Sequence, residues 1–209
     1  SFGFPAADTF TVDTGGSEKL RVSSDGGILV SNDGSDADGA NITLKHVNNN
    51  TTDVISSLIF SNNVGEAARI QAETSGANNS GLIRFFTDNA GTSAERLRIT
   101  SAGDVDFKGN NGITSMSFDR SSNSLDFVDD AKAQFGTGDD LQIYHDGSNN
   151  YVNATNGSLF IRGSDLVLED AGGNDYITCS DNGTGGTVTL KHLGNAKLTT
   201  TGAGVTVTG

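Results

Sequence analysis

An all-β chain of short strands separated by glycine turns is what this sequence predicts. Three observations carry the prediction: a glycine-rich composition poor in bulky side chains, period-2 alternation of apolar residues, and one module written three times. Gly fills 28 of 209 positions, about 13% against a usual value of roughly 7%, while Pro occurs once and Trp never. Turning backbone is therefore plentiful and large core side chains are scarce. The 34% hydrophobic content and its recurring alternation exclude a disordered chain, but one chain cannot build a wide core from so little side-chain volume. Its apolar strand faces must find partners on other copies, so the native state is expected to be a parallel homo-oligomer.

Alternation marks the strands. Leu20 and Val22 are expected on one face with Lys19 and Arg21 on the other, and Leu97 and Ile99 likewise oppose Arg96 and Arg98. The apolar members are predicted buried and the basic ones solvent-facing. Ile42, Leu44 and His46 alternate in the same way. Residues 66–73 and 128–135 have some helix propensity but no sustained 3.6-residue stripe, and are read as non-helical.

The repeat is legible at residue level. Glu18-Lys19-Leu20-Arg21-Val22 followed by Gly26 and Ile28-Leu29-Val30 returns as Glu95-Arg96-Leu97-Arg98-Ile99 followed by Gly103 and Val105-Asp106-Phe107. A shorter copy runs from Ala196-Lys197-Leu198 through Gly202-Ala203-Gly204 to Val205-Thr206-Val207. Upstream, Phe10-Thr11, Gly15 and Glu18 match Phe86-Thr87, Gly91 and Glu95 with one residue inserted. Fainter echoes pair Phe60–Gly65 with Phe86–Gly91 and Thr43–Val47 with Thr189–Leu193. Residues 1–110 and 111–209 are taken as a first and a second β-repeat module.

If the halves of each repeat form hairpins, the register follows. Leu97 pairs with Phe107, Ile99 with Val105 and Arg98 with Asp106, which leaves a three-residue loop ending in Gly103 at the left-handed position. Gly26 plays the same part when Val22 pairs with Ile28 and Leu20 with Val30. In the third copy, pairing Thr200 with Val205 and Leu198 with Val207 leaves Gly202-Ala203 as a two-residue loop, for which a type II′ turn is expected. Strands exchanged between intertwined chains are the alternative arrangement of the same pieces.

Charge removes several function classes. A net charge of −13 and a pI near 4.3, without a Lys/Arg cluster, argue against nucleic acid and anionic lipid surfaces as partners. The single Cys179 cannot form an internal disulfide. No apolar run approaches the roughly 20 residues of a membrane helix, so no membrane insertion is expected. The sequence opens without Met and stops in mid-pattern at Val205–Gly209, and is read as part of a longer polypeptide.

The order Leu58-Ile59-Phe60, Gly65, Ala68-Arg69-Ile70, Gly81-Leu82-Ile83-Arg84-Phe85, Gly91 and Glu95–Ile99 resembles repeat regions of bacteriophage tail fibres and tailspike-like proteins. The second half, with Phe135-Gly136-Thr137-Gly138-Asp139-Asp140-Leu141-Gln142-Ile143-Tyr144-His145-Asp146-Gly147 and Lys197-Leu198-Thr199-Thr200-Thr201, is similar to fibre and structural proteins of marine phages, especially those infecting cyanobacteria. The resemblance implies an elongated, intertwined or packed homotrimeric fibre in the extracellular virion tail. Its partners would be other tail or baseplate proteins and a host surface glycan or outer-membrane receptor. A bacterial extracellular filament or adhesin subunit, and a polysaccharide-cleaving tailspike, are the alternatives.

Motifs for chemistry are sparse. Asp33-Gly34-Ser35-Asp36-Ala37-Asp38-Gly39 fails the calcium-loop pattern, with Gly34 where the first ligand belongs and Lys45 at the bidentate position. Asp129-Asp130 and Asp139-Asp140 read as loop charges, and His46, His145 and His192 share no metal-ligand spacing. No nucleophile elbow, phosphate loop or Cys/His pair is present, so no catalytic residue, metal or cofactor is expected and the chain is read as a non-enzyme. One polar-aromatic cluster, Tyr144, His145, Asp146, Asn149, Asn150 and Tyr151, has the chemistry to stack on and hydrogen-bond a sugar and is the candidate glycan contact. Packing of these residues in an ordinary turn between two strands is the competing account.

Overall fold

A computed structural model describes residues 2–4, 9–31, 40–47, 49–110, 112–181, 183 and 185–209. The chain forms two compact units, residues 1–133 with 144–150 and residues 134–143 with 151–209. The described residues contain no helix, and all strand pairing detailed below is antiparallel and between sequence neighbours.

The first sheet orders β1 (Phe2–Gly3), β2 (Phe10–Thr14), β3 (Ser17–Val22) and β4 (Ile28–Val30). The second is a seven-stranded meander of β5 (Val54–Ser61), β6 (Glu66–Thr74), β7 (Gly81–Asn89), β8 (Thr92–Ile99), β9 (Val105–Lys108), β10 (Thr114–Asp119) and β11 (Ser124–Phe127). Next come β12 (Ala133–Phe135), β13 (Leu141–His145) and β14 (Asn150–Ala154), hydrogen-bonded in that order. The last sheet holds β15 (Asp165–Glu169), β16 (Asp175–Asp181), β17 (Gly186–His192), β18 (Asn195–Thr201) and β19 (Gly204–Val207).

Register turns the period-2 sequence into rows running across each sheet. In the seven-stranded sheet one row is Leu58-Ile70-Phe85-Leu97-Phe107-Met116-Phe127, one residue from every strand. A second is Ser56-Ala72-Ile83-Ile99-Val105-Phe118-Leu125. Between them, on the opposite face, runs the polar row Ser57-Gln71-Arg84-Arg98-Asp106-Ser117-Asp126. The last sheet repeats the pattern: Leu168-Ile177-Leu190-Leu198-Val207 is apolar, and Val167-Thr178-Thr189-Thr199-Thr206 crosses its other face.

All three repeats are hairpins within the chain, in the register read from the sequence. Gly26 and Gly103 take φ of 86° and 95°, closing loops in which Ser23 and Thr100 receive and give the flanking backbone hydrogen bonds. The two-residue loop Gly202-Ala203 is also present, but not as a type II′ turn. Gly202 does not take positive φ; the left-handed residue is Gly204, at 135°, where β19 begins.

Each repeat also has an upstream strand joined by a two-residue turn with positive φ at both positions: Gly15-Gly16, Ala90-Gly91 and Leu193-Gly194. That is the signature of a type I′ turn, whose twist matches a β-ribbon. The upstream alignment needs correcting. Phe10 pairs with Val22, so its structural counterpart is Ile83, which pairs with Ile99, and not Phe86. The second hairpin is longer by two residues in each arm, an even insertion that keeps every side chain on its own face.

Residues 40–47 depart from expectation: despite the echo of β17 they form no strand, with Ile42 73% and Val47 88% exposed. The same Thr-Leu-Lys-His stretch is extended in β17 because β16 and β18 flank it, whereas no described strand pairs with residues 40–47.

Candidate functional site

The polar-aromatic cluster lies at the β13–β14 turn. Asp146 Oδ1 accepts the backbone N–H groups of Ser148 (2.9 Å) and Asn149 (2.7 Å), and Gly147 takes φ of 85°, so the aspartate holds the turn from inside. His145 Nδ1 lies 2.9 Å from Asp129 Oδ1 and 3.2 Å from the Gly147 nitrogen; protonated it donates to the carboxylate, and in the other tautomer it accepts from the amide. The Lys132 ammonium stands 4.5 Å from the Tyr144 ring centroid and occupies that ring face. Asn149 and Asn150 are exposed in the same unit, while Tyr151 belongs to the second unit and is half-buried.

Elsewhere the acidic pairs serve loops. Asp129 meets His145, and the Asp140 carboxylate packs under Gly136 and Gly138. The segment 33–39 lies outside the described residues. Among the described residues no group of three or more His, Cys, Asp or Glu side chains converges in metal-binding geometry.

The most developed chemistry is the contrast between the two faces of the seven-stranded sheet. On the polar face Arg84 bridges Glu73 (3.1 Å) and Glu95 (3.4 Å), Arg98 reaches Glu95 at 2.9 Å, and Lys108 reaches Asp106 at 3.1 Å. The hydrogen bond to Glu95 holds the Arg98 guanidinium above its ordinary pKa, against the lowering from partial burial. Arg69 pairs with Glu66 at 2.6 Å and lays its guanidinium 3.7 Å from the Phe86 ring centroid.

A device the sequence reading missed builds two of these pairs and a third in the first sheet. Glu18-x-x-Arg21, Glu66-x-x-Arg69 and Glu95-x-x-Arg98 are ion pairs between residues three apart, which a regular strand would place on opposite faces. In each, pairing skips one residue, Lys19, Ala67 or Arg96, and the bulge brings acid and base to the same side. The recurring Glu-x-x-Arg spacing is the signal that would have revealed it. Lys197 is skipped at the corresponding place in the third repeat, where Ala196 replaces the acid. Lys19 and Arg96 therefore do not continue the alternation of Arg21 and Arg98.

Burial follows the sequence expectation at Arg96 and Arg21, which are exposed, falls short of it at Leu97 and Leu20, which are half-buried, and reverses it at Arg98, Ile99, Val22 and Lys19. Leu97 and Ile99 do share the apolar face, but Ile99 is 36% exposed whereas the Arg98 side chain is 27% exposed. In the first repeat Val22 is 37% exposed and Lys19 half-buried. Arg84, Arg98 and Lys108 lie down on the sheet with their stems covered and their heads paired, while the branched Ile83 and Ile99 on the other face are 41% and 36% exposed. Among the described residues no hydrophobic side chain is buried, and Thr11 alone is. No protein-family model matches this sequence, and no curated protein and no solved structure matches it.

Proposed function

We propose that this chain is a structural segment of a bacteriophage tail fibre, a homotrimeric, non-enzymatic part of the virion tail that contributes shaft or adhesive surface for host-cell attachment. The observation that carries the reading is the one just given: regular meander sheets with a completed apolar row pattern and, among the described residues, no buried apolar side chain. Such a chain has settled its backbone hydrogen bonds alone but not its hydrophobic burial, as a subunit of an obligate assembly does. The phage assignment rests on the sequence resemblance of the repeats, and the attachment role on the same source. The turn of Tyr144 to Asn150, with its exposed amides, is the place in the first unit where sugar contact is proposed.

Native mass by multi-angle scattering tests the assembly, with three chain masses expected and a soluble, folded monomer refuting it. Antibodies raised against the chain, imaged on virions from the source phage, are expected to decorate the tail. Labelling of a bacterial surface appendage instead would move the chain to the filament reading. Release of oligosaccharide from host capsule by the purified chain would overturn the non-enzymatic assignment.

A further inference from the structure

We propose that the apolar face of the seven-stranded sheet β5–β11 is a contact surface between copies of this chain, with the Arg84–Arg98 face turned outward. The inference rests on the oligomeric reading above and goes beyond it by saying which side of the sheet is used. The apolar face is open in the single chain: Leu58 and Leu125 are each 54% exposed, and Phe107, Phe118 and Phe127 are 39–42% exposed. The opposite face carries charged side chains that are already largely covered, Lys108 at 8% and Glu95 at 13% exposed.

Local packing points to a partner: among the described residues the strands of this sheet make their substantial contacts with the strands beside them.

Charge argues that the partner is another copy. Two chains of net charge −13 repel wherever acidic groups meet. The two apolar rows contain no charged residue, and the ion pairs Arg84–Glu73 and Arg98–Glu95 lie on the reverse face, while Arg96, at its bulge, reaches Thr87 on the apolar side. Like copies therefore approach through these rows without bringing acidic groups together. A surface that must be covered from the moment of folding is also best met by the one partner always made with it, a second copy.

The test uses the full chain with Cys179→Ser, carrying one new cysteine at a time. Leu58→Cys and Leu125→Cys place thiols on the apolar face, and Asp126→Cys places one beside Leu125 on the other face. Native mass and the rate of maleimide labelling are measured on each, before and after denaturation. The expected result is an oligomer in which the two apolar-face thiols label roughly tenfold or more slowly than when denatured, because only accessible thiolate reacts, while Asp126→Cys labels at nearly its denatured rate. An oligomer in which Leu58→Cys and Leu125→Cys label as fast as Asp126→Cys overturns the face assignment and leaves the oligomeric reading standing. A folded monomer overturns both. Phe107→Asp, which sets a carboxylate in the middle of a row, is expected to shift the native mass toward the single chain; an unchanged oligomer counts against the proposal.

Discussion

Gly26 and Gly103 occupy the same place in two repeats, and alanine at each should cost different amounts for a reason visible in their surroundings. Both take left-handed φ, 86° and 95°. An L-residue there costs about 1–2 kcal/mol, offset by the roughly 0.4–1 kcal/mol gained from stiffening the unfolded chain. For Gly26→Ala nothing lies within 4 Å of the new methyl group, so the backbone terms stand alone at about 1 kcal/mol. At Gly103 the methyl would sit 2.7 Å from Arg120 Cδ. The arginine must swing away and lose the hydrogen bond that Nη1 donates to the Ala102 carbonyl at 3.2 Å, bringing the cost to about 2 kcal/mol. Because several sheets can open independently, the assay is local: hydrogen exchange at the amides of Ser23 and Gly26 in one turn and Thr100 and Gly103 in the other. Protection should fall about fivefold for Gly26→Ala and about thirtyfold for Gly103→Ala. Gly26→Asn should recover part of the loss, since Asn tolerates left-handed φ. Equal losses at the two sites would refute the Arg120 argument, and Gly26→Asn as damaging as Gly26→Ala would refute the backbone one.

Deleting Arg96, the skipped residue of its bulge, should leave the far-ultraviolet circular dichroism of the sheet intact, whereas deleting Arg98 moves its neighbours to the wrong face and should abolish it; equal outcomes would sink the register. Asp119, held down chiefly by the Ser121 hydroxyl, and Asp170, held down chiefly by the Asn174 backbone N–H, both have carboxyls below their ordinary 3.8. Their contribution to the turns is thus present above that value and lost as pH falls through the lower folded one. Side-chain carbonyl shifts followed by NMR should give midpoints below 3.8 for both, and a midpoint above it would contradict the geometry. A double-mutant cycle on Arg84 and Glu73, 26% and 16% exposed, should give a coupling under about 1 kcal/mol that shrinks with salt; a salt-independent value above about 2 kcal/mol would show the pair to be shielded.

The sequence alone determined the strands of the repeats, the partners of their hairpins and the position of two left-handed glycines. These are set by neighbours a few residues apart: alternation assigns Leu97 and Ile99 to one side, and Gly103 has no Cβ to oppose the turn. The bulges lay beyond that reading, because strict alternation sends Glu95 and Arg98 to opposite faces and only the neighbouring strand β7 shows which residue is skipped. Nor could local pattern tell Thr43–Val47 from Thr189–Leu193, since a strand exists only where another lies beside it. The turn at Gly202 likewise kept its predicted length while the left-handed residue moved to Gly204. Burial was decided last and by tertiary structure alone: the pattern names the apolar face, but whether that face is covered depends on what stands above it. Among the described residues the strands of the seven-stranded sheet make their substantial contacts with the strands beside them, and Arg98 is better covered than Ile99 next to it.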